Sequence, residues 1–357
     1  NPGADVGVKD GTNYGSGIAT TLLLGGTIHE AYGGSNQKGN IVTRADIDAS
    51  SGGSCTLDLG KMVGAGKNAD IDGDVIMTLG CKPSARIPLL FAGADNANVD
   101  GNVELTVTSG NFGKVFGGNN EGGIIKGHIK VNIEETGDCE TPITIEELYL
   151  GGNEAAYSRF GYYDSGNTDT YGRPVYLPRT SADDSHTAVT NPATDATHSF
   201  PYAQPVLNVI SCTRIDNVFG GGLGTGAAMY ADPTVNINMI KGSFADDNIS
   251  GVPAQMTALE LSASENADSL GIIGNVYGGG NQAAVHGSTT VNIGTAASVS
   301  TVTEHTGLTN IATETGEYQY AVKGAYISGM VYGGGKGSET DPELAIVKGN
   351  TQVNMAG

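Results

Sequence analysis

The chain has 357 residues, including 56 glycines and 12 prolines, and it contains no tryptophan. This composition excludes a collagen-like or proline-rich chain and favours short strands joined by tight turns. The formal charge of −20 disfavours nucleic acid and anionic membrane surfaces as partners, because like charges repel. No apolar run approaches the roughly 20 residues that a membrane span requires.

A glycine-containing motif recurs eight times along the chain. Each copy has an aliphatic or aromatic residue followed by glycine, and the clearest copies read Val, an aromatic residue and two or three glycines. In chain order the copies are Ala31–Gly34, Met62–Ala65, Phe91–Gly93, Val115–Asn119, Leu148–Gly152, Val218–Gly222, Val276–Gly280 and Val331–Gly335. The shortest unit, from Phe91 to Phe116, has 25 residues, a period that is typical of solenoid proteins.

A second motif contains an apolar residue, a glycine two positions later, and an apolar strand-like triplet that begins four residues after the glycine. Its copies are Ile71–Leu79, Val99–Val107, Ile125–Ile133, Val285–Ile293 and Val347–Met355. A looser copy, Thr234–Ile237, has Ala231 in the place of the glycine. Apolar residues at every second position, as in Ile129, Val131 and Ile133, predict β-strands.

These repeats predict one all-β domain over 1–357, a right-handed parallel β-helix (β-solenoid) of about eight coils with long loop insertions. One repeat alone cannot bury its apolar face, whereas coils stacked at about 4.8 Å share a continuous interior. The right-handed sense follows from the strong preference of parallel crossovers. The motif glycines are expected at corners, where they supply either a positive φ or a close approach of the backbone.

Two columns of side chains are expected to run along the stack. The aromatic column comprises Tyr32, Phe91, Phe116, Phe219, Tyr277 and Tyr332, and the amide ladder comprises Asn132, Asn236, Asn292 and Asn354. In the coil that contains Leu148–Gly152, Leu150 is taken as the matching position. Both columns are predicted to be structural, with each amide bonded to its neighbours above and below.

Three insertions lengthen the later coils, at about 153–206, 243–270 and 294–323, and extra length in a solenoid is expected on one face. The first insertion is rich in tyrosine, which combines a large apolar area with one polar tip. Its candidate ligand contacts are Tyr157, Phe160, Tyr162, Tyr163, Tyr171 and Tyr176. The alternative is that these aromatic residues pack the loop onto the flank of the solenoid.

Asp72, Asp100 and Lys126 precede the second-motif glycine in successive coils. Stacking would bring the two carboxylates to about 5 Å, where they could bind Ca²⁺ or share a proton. The alternative is that they are corner residues on a solvated face, with Lys126 and Asp100 forming a weak surface pair. The sequence contains no nucleophile elbow, P-loop, zincin motif or EF-hand loop.

The four cysteines are Cys55, Cys81, Cys139 and Cys212. Their spacing lacks the close pairs that are typical of zinc sites. Two disulfides, Cys55–Cys81 and Cys139–Cys212, are one hypothesis, and four buried thiols are the other.

The segment Val276–Ile293 reads V-Y-G-G-G-N-Q-A-A-V-H-G-S-T-T-V-N-I. It resembles a family of large secreted or surface repeat proteins of gut-type bacteria, which carry many V-Y-G-G-G-N … G-N-T-x-V-x-I units and are described as β-helical or adhesin-like. The resemblance implies an extracellular or cell-surface location and a role in contact or scaffolding, and it brings no catalytic residues.

We therefore expect a non-enzymatic scaffold or adhesin segment whose inserted loops contact a glycan or a host or bacterial surface protein. Further repeats of a longer chain, or end-to-end copies of this chain, are additional expected partners. One alternative is a carbohydrate-active β-helix enzyme, a polysaccharide lyase or hydrolase that uses Asp72 and Asp100. The other alternative is a fibre-forming structural subunit. No cofactor is expected apart from Ca²⁺ at the two aspartates.

Overall fold

A computed structural model describes residues 5–9, 12–50, 55–80, 86–135, 141–158, 162–168, 174–178, 203–237, 271–293 and 326–355. Nearly all regular structure in these residues is β-strand. The strands are β1 (Gly7–Lys9), β2 (Thr12–Tyr14), β3 (Ile18–Leu22), β4 (Gly26–Tyr32), β5 (Arg44–Ala49), β6 (Leu57–Val63), β7 (Asp74–Leu79), β8 (Arg86–Phe91), β9 (Val103–Val107), β10 (Asn111–Phe116), β11 (Ile129–Glu134), β12 (Thr144–Tyr149), β13 (Tyr162–Thr168), β14 (Pro174–Pro178), β15 (Val206–Ser211), β16 (Arg214–Phe219), β17 (Thr234–Ile237), β18 (Ile272–Tyr277), β19 (Thr289–Ile293), β20 (Tyr326–Ile327), β21 (Val331–Tyr332) and β22 (Thr351–Met355). A 3-10 turn, Pro342–Ala345, precedes β22.

Two parallel nine-stranded sheets make up most of the molecule. The aromatic sheet contains β4, β6, β8, β10, β12, β16, β18, β20 and β21, and the amide sheet contains β3, β5, β7, β9, β11, β15, β17, β19 and β22. The chain alternates between the sheets, so each strand pairs with the strand that comes one coil earlier and one coil later. This order confirms the predicted stack of parallel coils.

A third row of backbone pairing lies between the two sheets along each coil. Isolated parallel bridges join Val6, Ile41, Ile71, Val99 and Ile125 in succession, and a second series joins Tyr157, Met229, Val285 and Val347. We call these residues the bridge row. Each coil therefore passes through the aromatic sheet, the bridge row and the amide sheet in that order. The right-handed sense and the single domain over 1–357 stay predictions.

The interior of the stack is filled by the inward residues of both sheets and of the bridge row. In β9, Val103, Leu105 and Val107 are at most 1% exposed, while the residues between them are half-buried. The alternation agrees with the period of two predicted from the sequence. The same cluster contains Val115 of the aromatic sheet and Val99 of the bridge row, so one apolar core runs along the stack.

The aromatic column is present, and it lies outside the main core. Successive rings from Phe91 to Tyr332 stack with centroids 4.7–5.0 Å apart. Val115 belongs to the main core whereas its neighbour Phe116 belongs to a second cluster of buried rings, because adjacent strand residues point to opposite faces. The rings therefore form a separate apolar strip on the outer side of the aromatic sheet.

The alignment of one coil with this column was wrong. Tyr149, rather than Leu150, pairs with Phe116 and Phe219 and is fully buried. Val63 occupies the column between Tyr32 and Phe91. The continuous ring stack therefore begins at Phe91.

The amide ladder is continuous over five coils of the amide sheet. Each asparagine after the first donates a hydrogen bond from its side-chain Nδ2 to Oδ1 of the asparagine one coil earlier, at 2.7–3.0 Å. The five members are Asn132, Asn208, Asn236, Asn292 and Asn354. The prediction from the sequence omitted Asn208. The four asparagines that it did include are confirmed as members of the ladder. Since every bond runs in the same direction, the ladder has a donor end and an acceptor end.

The motif glycines permit a close approach between coils. A Cβ on Gly118 would lie 2.6 Å from the backbone nitrogen of Gly152, and one on Gly127 would collide with the carbonyl oxygen of Gly101. None of these four glycines has a positive φ. Of the two expected roles, contact between backbones is therefore the one that these glycines fulfil.

The insertions leave the stack at two different corners. The chain leaves the bridge row after Tyr157 and re-enters at Ala203, which pairs with Ala231 just before β15. The second and third insertions follow β17 and β19, at the other end of the amide-sheet strands. The extra length is therefore not confined to one corner of the coil. An antiparallel pair, β1–β2, occupies the first of these corners in the first coil.

Candidate functional sites

The predicted contact residue Tyr157 is a packing residue. It belongs to the bridge row, it is 2% exposed, and its hydroxyl donates to the carbonyl oxygen of Gly127 at 3.0 Å. A buried ring whose polar tip already has a partner offers little to a ligand. For this residue the burial favours the packing interpretation, and a role as ligand contact stays a prediction.

Three of the other candidates lie on one antiparallel strand pair. Tyr162 and Tyr163 belong to β13 and Tyr176 belongs to β14, with Tyr163 opposite Leu177. Phe160 and Tyr171 lie outside the described residues. The backbone thus gathers Tyr162, Tyr163 and Tyr176 on a two-stranded element that the sequence did not predict, and their role as contacts stays a prediction.

Asp72, Asp100 and Lys126 belong to a longer row of residues, each of which directly follows a bridge-row residue. We call it the outer row. Its described members are Gly7, Val42, Asp72, Asp100, Lys126, Ser158, Tyr230, His286 and Lys348. The Nζ atom of Lys126 lies 2.6 Å from Oδ1 of Asp100. Lys126 therefore holds the carboxylate that was expected to bind calcium, as the surface-pair interpretation predicts.

The environment of Asp100 combines opposing effects on its pKa. Partial burial raises the pKa of this carboxyl above its usual value, the bond to Lys126 opposes that change, and the charges of Asp72 and Asp70 reinforce it. Within the part of the chain that the structure describes, no group of three or more His, Cys, Asp or Glu side chains could hold a metal ion. Calcium at Asp72 and Asp100 stays a prediction.

Acidic and amide side chains beside the outer row accept hydrogen bonds from backbone N–H groups at the corner of the next coil. The backbone N–H of Asn102 donates to Oδ1 of Asp74 at 2.7 Å, and the N–H of His128 donates to Oδ1 of Asn102 at 2.9 Å. The N–H of Ser288 donates to Oδ1 of Asp232 in the same way. These contacts satisfy backbone donors that the corner leaves without a sheet partner.

The other end of the outer row is aromatic and basic. The Tyr230 ring stacks on the His286 imidazole with centroids 4.0 Å apart, and Nζ of Lys348 lies 3.3 Å from Nδ1 of His286. Burial, and then the charge of Lys348, lower the pKa of His286 from 6.5 to about 4. The imidazole is therefore neutral at pH 7 and Nδ1 accepts from the ammonium group. Sequence analysis missed Tyr230, although Tyr230 directly precedes Ala231, which stands in the place of the second-motif glycine.

A polar network lies where Val63 interrupts the aromatic column. The Tyr32 hydroxyl lies 2.8 Å from Glu30 Oε2 and 3.0 Å from Asp95 Oδ2. Lys61 bridges the same two carboxylates, and Lys67 contacts Glu30. The bond from Tyr32 is the largest cause that lowers the pKa of Glu30 to about 2. Burial raises the pKa of Tyr32 above its usual value, so its hydroxyl group keeps its proton. The network therefore contains this hydroxyl, two carboxylates and the ammonium groups of Lys61 and Lys67.

The cysteines occupy contrasting environments. Cys55 is exposed and Cys212 is buried in the main core. Cys81 and Cys139 lie outside the described residues, so both disulfide pairings stay predictions.

Comparisons with known protein families, with curated proteins and with solved structures find no match. No helix in the described part of the chain is long and apolar enough to cross a membrane.

Proposed function

We propose that this chain is a non-enzymatic segment of an extracellular or cell-surface scaffold or adhesin. Its inserted segments would contact a glycan or a host or bacterial surface protein. The observation that carries the proposal is that parallel strand pairing continues across the insertions, with one irregularity after Ile133 in the pair that spans the first insertion. Asn132, Asn208 and Asn236 remain directly opposite one another although the first insertion separates the first two.

Continued pairing supports a division of roles between the coils and the insertions. The coils keep their core and their two columns of side chains while long segments leave at the corners. Residues at such positions tolerate change and carry binding functions in many scaffolds, because they contribute little to the core. The antiparallel pair β13–β14 gives the first insertion an ordered element that includes Tyr162 and Tyr163.

The ion pairs of the stack support a non-enzymatic role. Asp100 is paired with Lys126, and the carboxylates near Tyr32 are held by Lys61 and Lys67. A polysaccharide lyase or hydrolase that used Asp72 and Asp100 would have to displace the Lys126 ammonium before Asp100 could act on a substrate. The surface location follows from the resemblance to secreted repeat proteins, and the charge of −20 favours neutral or basic partners.

Replacement of Tyr162 and Tyr163 by Ala tests this proposal. We expect the double variant to fold normally and to lose about tenfold or more of its binding to a glycan array or to cells, because aromatic anchors dominate such contacts. Product release should be measured on the same array.

The matched control replaces Arg86 and Glu146 by Ala. These residues form an exposed ion pair on the stack itself, with side chains 62% and 58% exposed, so its loss should leave both stability and binding nearly unchanged. Equal binding by the tyrosine variant and the native chain would contradict the contact role. Turnover of any glycan would contradict the non-enzymatic role.

A further inference from the structure

A buried carboxylate on the outer side of the aromatic sheet contacts an amine, a phenol and a carboxamide. It belongs to Asp95, whose side chain is 7% exposed and lies at the corner that follows β8. Its Oδ2 atom lies 3.0 Å from Nζ of Lys61 and 3.0 Å from the Tyr32 hydroxyl. Its Oδ1 atom accepts from Nδ2 of Asn120 at 2.6 Å. Four successive coils therefore converge on one carboxyl group.

Glu30 completes a closed circuit of contacts between the amine and this carboxylate. Nζ of Lys61 lies 3.3 Å from Oε1 of Glu30. The other oxygen, Oε2, lies 2.8 Å from the Tyr32 hydroxyl, which also contacts Oδ2 of Asp95. A phenol carries one proton, so a hydroxyl between two carboxylates donates its proton to one of them and is able to accept a proton from the other. The circuit therefore gives a proton a continuous path from the amine nitrogen to Oδ2.

We propose that Lys61 and Asp95 condense to an amide that joins neighbouring coils covalently. The Nζ atom of Lys61 forms a bond to Cγ of Asp95, the bond from Cγ to Oδ2 breaks, and Oδ2 leaves as water. Of the three protons on the ammonium group, one stays on the amide nitrogen and two leave with Oδ2. The ion pair and the amide have the same net charge, and the reaction uses no oxidant, reductant or further reactant.

The contacts assign a role to each neighbour of the reacting pair. One proton passes from Lys61 directly to the Oδ2 atom that it contacts. The second passes from the attacking nitrogen to Glu30, and Tyr32 delivers a proton to Oδ2 as it accepts one from Glu30. Asn120 donates to Oδ1, where negative charge develops during the attack. Because the reacting groups are already in contact, no bimolecular encounter is needed.

The ion pair is the resting state of this site, and the condensation is therefore slow. Burial lowers the pKa of the Lys61 ammonium group, whereas its contacts with Asp95 and Glu30 raise that pKa by more. The free amine, which is the nucleophile, is the minor form at neutral pH. We therefore expect the amide to form over hours or days after the chain has folded.

The amide would close a loop of the chain that contains two complete strands, β7 and β8. Such a cross-link restricts the unfolded chain and thereby favours the folded one. It would also keep two neighbouring coils joined after the chain is denatured. The proposal is independent of the contact role of the inserted segments, because all the residues involved belong to the stack.

Intact-mass spectrometry of the full chain tests the proposal. We expect the freshly purified chain, kept folded at neutral pH, to lose the mass of one water molecule with time. Peptide mapping should then recover a branched peptide that joins Lys61 to Asp95, and tryptic cleavage after Lys61 should disappear. A chain that keeps its full sequence mass after prolonged incubation would overturn the proposal. Loss of water without the branched peptide would also overturn it, because a succinimide at Asp95 has the same mass.

Three substitutions separate the proton path from the ion pair. Glu30→Gln and Tyr32→Phe leave both reacting groups in place, and each removes one member of the proton path. We expect each variant to form the amide at least about a hundredfold more slowly, since this is the usual contribution of a positioned acid or base. Lys61→Arg keeps a cation beside both carboxylates but has no amine, so it should keep its full sequence mass. Native rates in the first two variants would overturn the proposed path.

Lys130 and Glu104 provide a matched control within the same chain. They also join neighbouring coils, with Nζ of Lys130 3.1 Å from Oε1 of Glu104, but their side chains are 45% and 42% exposed. Water competes for both groups at such a surface pair. Peptide mapping should therefore recover these two residues unmodified. A branched peptide that forms at this pair at the same rate would show that proximity alone is sufficient, contrary to the proposal.

Discussion

At the scale of single residues, partial burial decides the protonation of His286. The imidazole lies under the Tyr230 ring with Lys348 at its Nδ1 atom. Burial disfavours the charged form, and a neighbouring ammonium group disfavours it further. Both effects lower the pKa of His286, from 6.5 to about 4.

The expected result is a titration of His286 with a midpoint near pH 4, measured by NMR. The folded chain does not bind this proton until about pH 4, whereas the unfolded chain binds it near pH 6.5. The contribution to stability is therefore present above pH 6.5 and is lost as the pH falls to 4. Lys348→Ala should raise the pKa while leaving it below 6.5, because burial is the larger cause. A midpoint at or above 6.5 in the native chain would contradict the buried stack.

Single positions show where sequence reasoning succeeds and where it fails. The equal spacing of the motif glycines predicted their corners, and the structure then distinguished backbone contact from positive φ at Gly118 and Gly127. Tyr157 was grouped with the other tyrosines by composition alone. Its core position depends on its pairing with Met229 across coils, which composition does not reveal.

At the scale of secondary structure elements, the amide ladder ties five strands of the amide sheet together. Asn208 is 1% exposed and bonds both of its neighbours, accepting from Asn236 and donating to Asn132. Removal of its amide leaves a buried donor on one side and a buried acceptor on the other. Such groups are costly because they have given up water without gaining another partner.

We expect Asn208→Leu to reduce the free energy of unfolding by about 1–3 kcal/mol for each group left without a partner. The matched control is Asn354→Leu at the exposed end of the ladder, which removes one ladder bond and the bond from Gln352 where water can replace both and should cost less than about 1 kcal/mol. Urea unfolding followed by circular dichroism measures both values. Equal losses of the free energy of unfolding in the two variants would show that burial does not make the ladder bonds more important for stability.

The amide ladder and the aromatic column also show where the alignment of strands from sequence motifs fails. Asn208 was missed because its strand, Val206–Ser211, has neither a second-motif glycine before it nor the Val-Asn-Ile triplet that identified Asn236. Leu150 was chosen over Tyr149 because both precede the same glycine pair. Strand pairing with β10 and β16 resolves the alignment, since a shift of one residue reverses every side chain.

At the scale of the whole molecule, stacked coils explain why one period persists through a chain with long insertions. Every coil adds a strand to each sheet, a bridge-row residue, and side chains to a shared interior. Stability in such arrays comes mainly from contacts between neighbouring coils. The repeat period, the strand alternation and the order of the motifs predicted this architecture. The two corners at which the insertions leave were not predicted, because spacing alone does not say where a coil turns.

The most direct measurement of coil stacking is a pair of spin-label distances along one row of the amide sheet. Glu104 is four strand pairings from Thr290 and five from Gln352. Labels introduced through an unnatural amino acid leave the native cysteines unchanged. At about 4.8 Å for each coil, stacking predicts distances of about 19 Å and about 24 Å, which differ by one coil. Broad distributions, or two distances unrelated by that increment, would contradict the stacked-coil architecture.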